Sequence, residues 1–416
     1  MLINFTVGNY RSFRKKATLS MEATSIKELK DSIIQKGKYK LLPSAVIYGA
    51  NSSGKSNLLT ALLTMKRVLL DSVKLNPADE LNFDPFALFD EEEQQPIFFE
   101  IEFLIDTLKY RYGYSYVSTR IISEWLYEKR EKEREYKLFY RLDGDMDISE
   151  KLFKEGIGKD ESTPANRLFL SLVVQLNGEK SKRVLEWFQH CNYVSGINSD
   201  GYEGFTMKML YEHLEGSKEA LAFFKKLNLG FEEITFKEVD IEEDTLPSFL
   251  SNAMKEKLKE QIVGKKMLSI KTKHRIFDEK GETKGYKEFS EGKMESEGTK
   301  KIIQLSGPIF DTLLTGKVLL VDELEAKLHP LLMHQIIQLF NNPKMNKKGA
   351  QLIFVTHNTN LLNIKFFRRD QIWFVEKDAI DETELYSLVE FKDVKNKKIR
   401  NDSSLEKNLL VSAKSQ

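Results

Sequence analysis

Cysteine is nearly absent from these 416 residues, with Cys191 standing alone. That excludes an intramolecular disulfide framework and a cysteine-built zinc cage, and it fits a reducing compartment. Charge of one sign is missing too. Lys+Arg 64 against Asp+Glu 63 leaves a formal charge of +1, so no global field draws the chain to nucleic acid or an anionic membrane. Any such contact would need a local patch. The opening Met1-Leu2-Ile3-Asn4-Phe5 has no basic segment leading into an apolar one, and no secretory signal is expected. The longest strongly apolar run, 168–176, contains Ser171 and Gln175 and falls short of the ~20 residues that span a bilayer. A soluble, cytoplasmic chain with no membrane partner is the expectation.

What is present is enough to fold. Hydrophobic residues make up 41% and charged residues 31%, which supports a real core and argues against disorder. At roughly 100–200 residues per domain, the length suggests two or three domains.

The firmest local pattern is strand, loop, helix. Ser44 to Tyr48 is a short apolar run. Gly49-Ala50-Asn51-Ser52-Ser53-Gly54-Lys55-Ser56 follows at once, a complete G-x-x-x-x-G-K-S, and Leu58, Leu59, Leu62, Leu63 and Met65 to Leu69 then recur at helical spacing. This context makes the motif a phosphate-binding P-loop. Gly49 and Gly54 lack a Cβ, so loop N–H groups can wrap a phosphate. The helix N-terminus adds partial positive charge. Lys55 is expected on the β/γ-phosphates of ATP and Ser56 on Mg²⁺, with Asn51, Ser52, Ser53 and Asn57 completing the binding set.

A P-loop needs acids from another strand. Lys317-Val318-Leu319-Leu320-Val321-Asp322-Glu323 is an apolar β run ending in two of them. Asp322 is the expected Walker B metal residue, and Glu323 the candidate general base. Taken alone, this run also fits a buried strand followed by an acidic loop. Gln351 to Val355 forms another apolar strand leading to Thr356-His357. A neutral His357 at the carboxyl end of a core strand suits contact with a γ-phosphate or the attacking water. Pro330 is expected to open a helix through Leu331, Ile336 and Phe340. Ser296-Glu297-Gly298-Thr299 precedes a helix that Pro308 should bend or interrupt. Ser296 and Gly298 there read either as an anion-binding nook or as an ordinary cap.

Taken together, these elements resemble the ABC-type ATPase heads of SMC, RecF and OLD-family proteins. Ser296 to Thr299 stands in place of an LSGGQ signature, Leu328-His329-Pro330 as the D-loop, and Thr356-His357 as the switch. The block from Ser296 to Val375 is similar to AAA-type ATPases of bacterial abortive-infection and anti-phage operons, a group that includes the ATPase subunit of the PARIS system. The resemblance implies an α/β fold, a mixed sheet with an antiparallel lobe plus a helical insertion. It implies slow ATP hydrolysis with ATP and Mg²⁺, and ATP-dependent self-association that presents Ser296 and Gly298 in trans. Arg11 joins the binding set on the same ground, in an opening strand pair over residues 3–13. The implied function is a sensor or scaffold controlling a separately encoded effector, a nuclease among the candidates, with a phage-derived trigger. A RecF- or SMC-like DNA-repair ATPase and a nucleotide-gated scaffold with negligible turnover are the alternatives. Too little chain follows His357 for a fused TOPRIM nuclease.

The expected domains are 1–145 (first half of the head), 146–290 (mainly helical insertion), 291–392 (second half of the head) and 393–416 (polar, basic tail). Within the first, Ile97 to Phe103 and Tyr110 to Tyr116 alternate as two antiparallel strands, and 128–137 reads as a solvated hairpin or helix face. In the insertion, a helix over 217–228 should bury Leu221, Phe224 and Leu227, and no sustained heptad seam supports a long coiled coil. Residues 255–275 carry eight cations against Glu256 and Glu260. They read as solvated lysines on a helix and hairpin, with a nucleic-acid patch as the alternative. Among Gln94, Gln95 and Gln175 no Q-loop glutamine stands out.

Overall fold

The computed structural model describes residues 1–88, 95–198, 201–240, 266–358 and 366–390. The chain divides into a first unit, residues 1–197 and 312–416, and a second unit, residues 198–311.

The first unit runs through β1 (Leu2–Gly8), β2 (Ala17–Ser20), β3 (Ile34–Lys36), β4 (Tyr39–Leu41), β5 (Ser44–Tyr48) and α1 (Lys55–Asp71). It continues with β6 (Ile97–Ile105), β7 (Leu108–Tyr116), β8 (Ile121–Lys129), β9 (Glu135–Leu142), β10 (Asp145–Ile148), α2 (Phe169–Gln175), α3 (Glu179–Gln189) and β11 (Cys191–Ser195). The second unit holds α4 (Glu203–Tyr211), α5 (Ser217–Leu227), β12 (Glu233–Asp240), β13 (Lys266–Phe277) and β14 (Thr283–Ser290). The chain returns through α6 (Glu297–Thr315) to β15 (Val318–Asp322), α7 (Pro330–Asn341), β16 (Gln351–Val355), β17 (Ile372–Lys377) and β18 (Thr383–Ser387).

Two sheets build the first unit. One has the order β11-β15-β16-β5-β17-β18; its neighbours are parallel except for the final β17–β18 pair. Its central strands are buried along their whole length, as a sheet covered on both faces requires. The other sheet is antiparallel, in the order β10-β9-β8-β7-β6-β1-β2. There burial alternates along β6, which is the half-covered pattern. The expected α/β fold, a mixed sheet with an antiparallel lobe, is what the chain adopts. No described helix is long and apolar enough to cross a membrane.

The antiparallel lobe is packed with rings. Tyr110, Tyr112, Tyr114 and Tyr116 of β7 are all buried, and each hydroxyl has a partner: Glu128, Glu124, the Met65 carbonyl and the Asn82 carbonyl. A buried tyrosine needs such a partner to offset desolvation. Glu124, fully buried, also accepts from the Phe169 and Leu170 N–H groups at 2.6 and 3.0 Å. It thereby caps α2 and fastens that helix to the lobe.

Several expectations need correction. The opening pair is β1 with β2, so its second strand starts at Ala17, beyond the turn at 9–16. Residues 146–197 belong to the first unit, and they include β10 and β11. The rest of 146–290 is only partly helical: β12, β13 and β14 form an antiparallel sheet. Its strands escape notice because exposed charges occupy both alternating positions over much of β14. Lys273 and Arg275 lie on β13 and pair with Glu233 and Glu232, while 241–265 and the 393–416 tail lie outside the described residues. In α5 the buried face is Ala220, Phe223 and Phe224, whereas Leu221 is exposed.

Pro308 does not interrupt α6, which runs unbroken through it. Proline removes one backbone donor, the N–H that would have gone to the Gln304 carbonyl four residues back. The Thr206 hydroxyl donates to that carbonyl instead, at 2.5 Å. Gly307 makes room, because a Cβ there would sit 2.3 Å from Thr206 Oγ1.

Candidate nucleotide-binding site

β5 and β15 flank β16 in register, so the carboxyl ends of all three strands reach one sheet edge. Ligands of open α/β sheets bind at such edges. The loop after β5 carries the P-loop, the turn after β15 carries Glu323, and the turn after β16 carries His357.

The P-loop is held from outside. Gly54, at φ +104°, caps α1 in a conformation that side chains rarely adopt, and a Cβ on it would meet Thr383 Oγ1 at 2.4 Å and Ser12 Oγ at 2.7 Å. Gly49 is equally confined, 2.3 Å from the Val375 carbonyl by the same construction. Thr383 Oγ1 donates to the Ser53 carbonyl at 2.9 Å, and Asn57 Nδ2 donates to Ser12 Oγ at 2.8 Å. Thr383 and Ser12 thus clamp the loop. Their contribution is geometric, and nothing in the local sequence around either residue signals it.

Within the loop, Lys55 is 4% exposed and donates to the Gly49 and Ala50 carbonyls at 2.8 and 2.7 Å. Burial pulls its ammonium down from 10.5 to about 8, against the opposing pull of Glu325, Asp322 and Glu323. Ser56 Oγ donates to Asp322 Oδ1 at 2.9 Å, joining residues 266 positions apart. Burial lifts the Asp322 carboxyl above its ordinary range, and the Ser56 bond and the Lys55 charge act the other way. Asn51 and Ser52 face solvent, Ser52 at φ +62°. The Ser53 hydroxyl is buried with no hydrogen-bond partner among the described residues. An unsatisfied donor in a cradle of loop amides fits an arriving phosphate oxygen.

The donor pair Ser56 and Asp322 offers two hard oxygens, the kind Mg²⁺ takes when substrate phosphates and water complete its shell. Among the described residues no group of three or more His, Cys, Asp or Glu side chains forms a metal cage.

Glu323 sits at φ +56°, a strained position for a glutamate. Gly196, just beyond the end of β11, packs closely against this turn. The Gly196 N–H donates to the Asp322 carbonyl at 2.7 Å, and a Cβ on Gly196 would fall 1.8 Å from the Glu323 carbonyl oxygen. Tyr193, on β11 itself, hydrogen-bonds Asp322; burial first and then that carboxylate raise its phenol above the ordinary value. Neither Tyr193 nor Gly196 is visible as a site residue in sequence, since both belong to a stretch read as insertion.

His357 is exposed, and its backbone N–H donates to Glu325 Oε1. Arg11 is exposed and at φ +49°; it pairs with Asp84 at 3.3 Å and lies over the Tyr10 ring. Ser296 and Gly298 belong to the second unit. There the Ser296 hydroxyl accepts the Thr299 N–H at 3.1 Å, the bond of an N-cap. Of the glutamine candidates, Gln175 ends α2, Gln95 gives its carbonyl to Asn9, and Gln94 lies outside the described residues. The strand beside β15 ends instead at Ser195, with Gly196-Ile197 following it.

Among solved structures, the chain is similar to an SMC head domain from Thermotoga maritima, at 12% identity over 93% of this chain and 98% of that one, with a TM-score of 0.40. It is similar to a Smc head domain with coiled coil and joint derived from Pyrococcus yayanosii, at 12% identity over 93% and 96%, with a TM-score of 0.33. A structure of the recombination mediator protein RecF with ATP matches at 14% identity over 92% and 97%, with a TM-score of 0.34. No curated protein matches the chain. A family profile described as "AAA domain, putative AbiEii toxin, Type IV TA system" matches residues 44–363, from the first residue of β5 to beyond His357. That span takes in the P-loop, the Asp322-Glu323 turn and the His357 turn, and the chain belongs to this AAA-domain family.

Proposed function

We propose that the chain binds and hydrolyses ATP, and that it acts as the nucleotide-driven sensor or scaffold of an anti-phage, abortive-infection system. The observation that carries the ATPase reading is the 2.9 Å bond from Ser56 to Asp322, which brings the P-loop hydroxyl to the Walker B acid at one sheet edge. ATP lies in the Gly49–Asn57 loop, with Lys55 transferring its bonds from loop carbonyls to phosphate oxygens. Ser56 and Asp322 would hold Mg²⁺, which would supply charge neutralisation at the phosphates. Glu323 accepts a proton from water at its carboxylate, and His357 orients that water or a γ-phosphate oxygen. Ser296 and Gly298 reach the phosphates from a second copy of the chain, so ATP drives self-association.

The defence role draws on the family description, which names a toxin of a toxin–antitoxin system and so suits a chain that works with a separately encoded partner. In this role the chain restrains an effector, a nuclease among the candidates, until a phage-derived trigger arrives.

Phosphate release from MgATP by the purified full chain tests the first step. Turnover that is lost in Lys55→Ala supports it, as does a fall of about 100-fold or more in ATP affinity. A wild-type chain that neither binds nor hydrolyses ATP overturns it. Ser296→Arg should bind ATP normally yet fail to hydrolyse it; unchanged hydrolysis would make Ser296 a helix cap and remove it from the mechanism.

A further inference from the structure

Asp322 and Glu323 do not complete the acids of this edge. Two residues further on, Glu325 takes the His357 N–H on Oε1, while its Oε2 is buried with no hydrogen-bond partner among the described residues. The backbone around it is closed by short bonds. The Ala326 N–H donates to the Glu323 carbonyl, and the Leu328 N–H donates to the Glu325 carbonyl, both at 3.0 Å. The next tie, from the Leu324 N–H to the Val355 carbonyl, is long at 3.4 Å. Among the described residues, the turns bearing Glu323 and His357 are therefore joined by one weak backbone bond and one charge-assisted side-chain bond. A bond with an ionised acceptor is roughly twice as strong as a neutral one.

We propose that Glu325 is a positioning residue whose carboxylate ties the turn after β15 to the turn after β16, fixing His357 relative to Glu323. The inference rests on the ATPase reading and adds to it how two catalytic turns, each strained or exposed by itself, keep one spacing. Thr356 is fully buried at the end of β16, whereas His357 is exposed, so the backbone N–H at 357 is the point where the turn leaves the core. Anchoring that N–H sets the direction from which the imidazole departs. The buried, unpartnered Oε2 lies in the same electrostatic neighbourhood as Lys55, where Glu325 exerts the largest pull of the three acids. The anchor therefore also reaches the P-loop side of the edge.

The test separates a tether from a charge and from a fold effect. Glu325→Gln retains an oxygen that accepts the His357 N–H, so its kcat should stay within about 3-fold of wild type. Glu325→Ala should lower kcat by about 100-fold, the cost of misplacing a catalytic group by about 1 Å, with KM for ATP unchanged. In a His357→Ala background, Glu325→Ala should have no further effect, since the two act as one unit. Backbone amide exchange at His357 should be slow in wild type and in Glu325→Gln, and fast in Glu325→Ala.

An alanine variant with wild-type kcat overturns the tether. So does a glutamine variant as damaged as alanine, or losses that multiply in the double variant. If the wild-type chain shows no turnover, the ATPase reading fails, and amide exchange at His357 still decides the tether: protection unchanged in Glu325→Ala overturns it.

Discussion

Along β5 every side chain is buried, whereas along β6 burial alternates from Ile97 to Phe103. The two strands belong to different sheets of the same unit, and the sheets divide the labour. The central strands of the parallel sheet are buried along their length, and Asp322, Glu323 and His357 emerge at their carboxyl ends beside Ser56 of α1. The antiparallel sheet buries its polar groups inside, as satisfied pairs such as Tyr112 with Glu124. Chemistry gathers where strands stop, and stability gathers where side chains interlock.

Variants at the strand ends should therefore change rate without changing stability, and variants in the lobe should do the reverse. The largest expected effect is Glu323→Gln, with kcat falling about 100- to 10,000-fold while ATP binding and thermal midpoint hold. ATP should then trap the self-associated form, visible by size-exclusion chromatography. A turnover equal to wild type removes Glu323 from the chemistry.

Gly196→Val should come next. Its Cβ cannot share space with the Glu323 carbonyl, so the turn must move and kcat should fall by about 100-fold. Wild-type turnover in that variant would show that the Glu323 turn tolerates displacement. Glu124→Ala should cross to the other side of the comparison. It leaves the Phe169 and Leu170 amides and the Tyr112 hydroxyl without their acceptor, at a cost of about 3–5 kcal/mol of stability. Denaturant titration checks the loss, and phosphate release per folded molecule should be unchanged. A fall in turnover there would break the division between the two sheets.

How much of this was legible in the sequence follows from the distance over which each signal acts. The P-loop is contiguous, so strand, loop and helix declare one another within about thirty residues. Asp322 was legible because a run of apolar residues ending in acids has few other uses beside a P-loop. That Ser56 would meet it follows only from the sheet order. Ser12, Tyr193, Gly196 and Thr383 stayed hidden because each acts across the sheet by closeness, and residue type carries no record of that. The β12–β14 sheet was missed because its exposed positions hold charge on both phases of the alternation, which removes the period on which a strand reading depends. The unbroken course of α6 through Pro308 was hidden for a related reason. A proline rule is local, and the rescue of the Gln304 carbonyl by Thr206 comes from a hundred residues away.

The four tyrosines of β7 have an optical consequence. Burial raises every one of these phenols above its ordinary value, with neighbouring acids or phenols adding to the effect. Phenolate absorbance during an alkaline titration would thus come first from the surface tyrosines. The row along β7 would stay dark until the lobe itself opened, giving the molecule a built-in spectroscopic report on the antiparallel sheet.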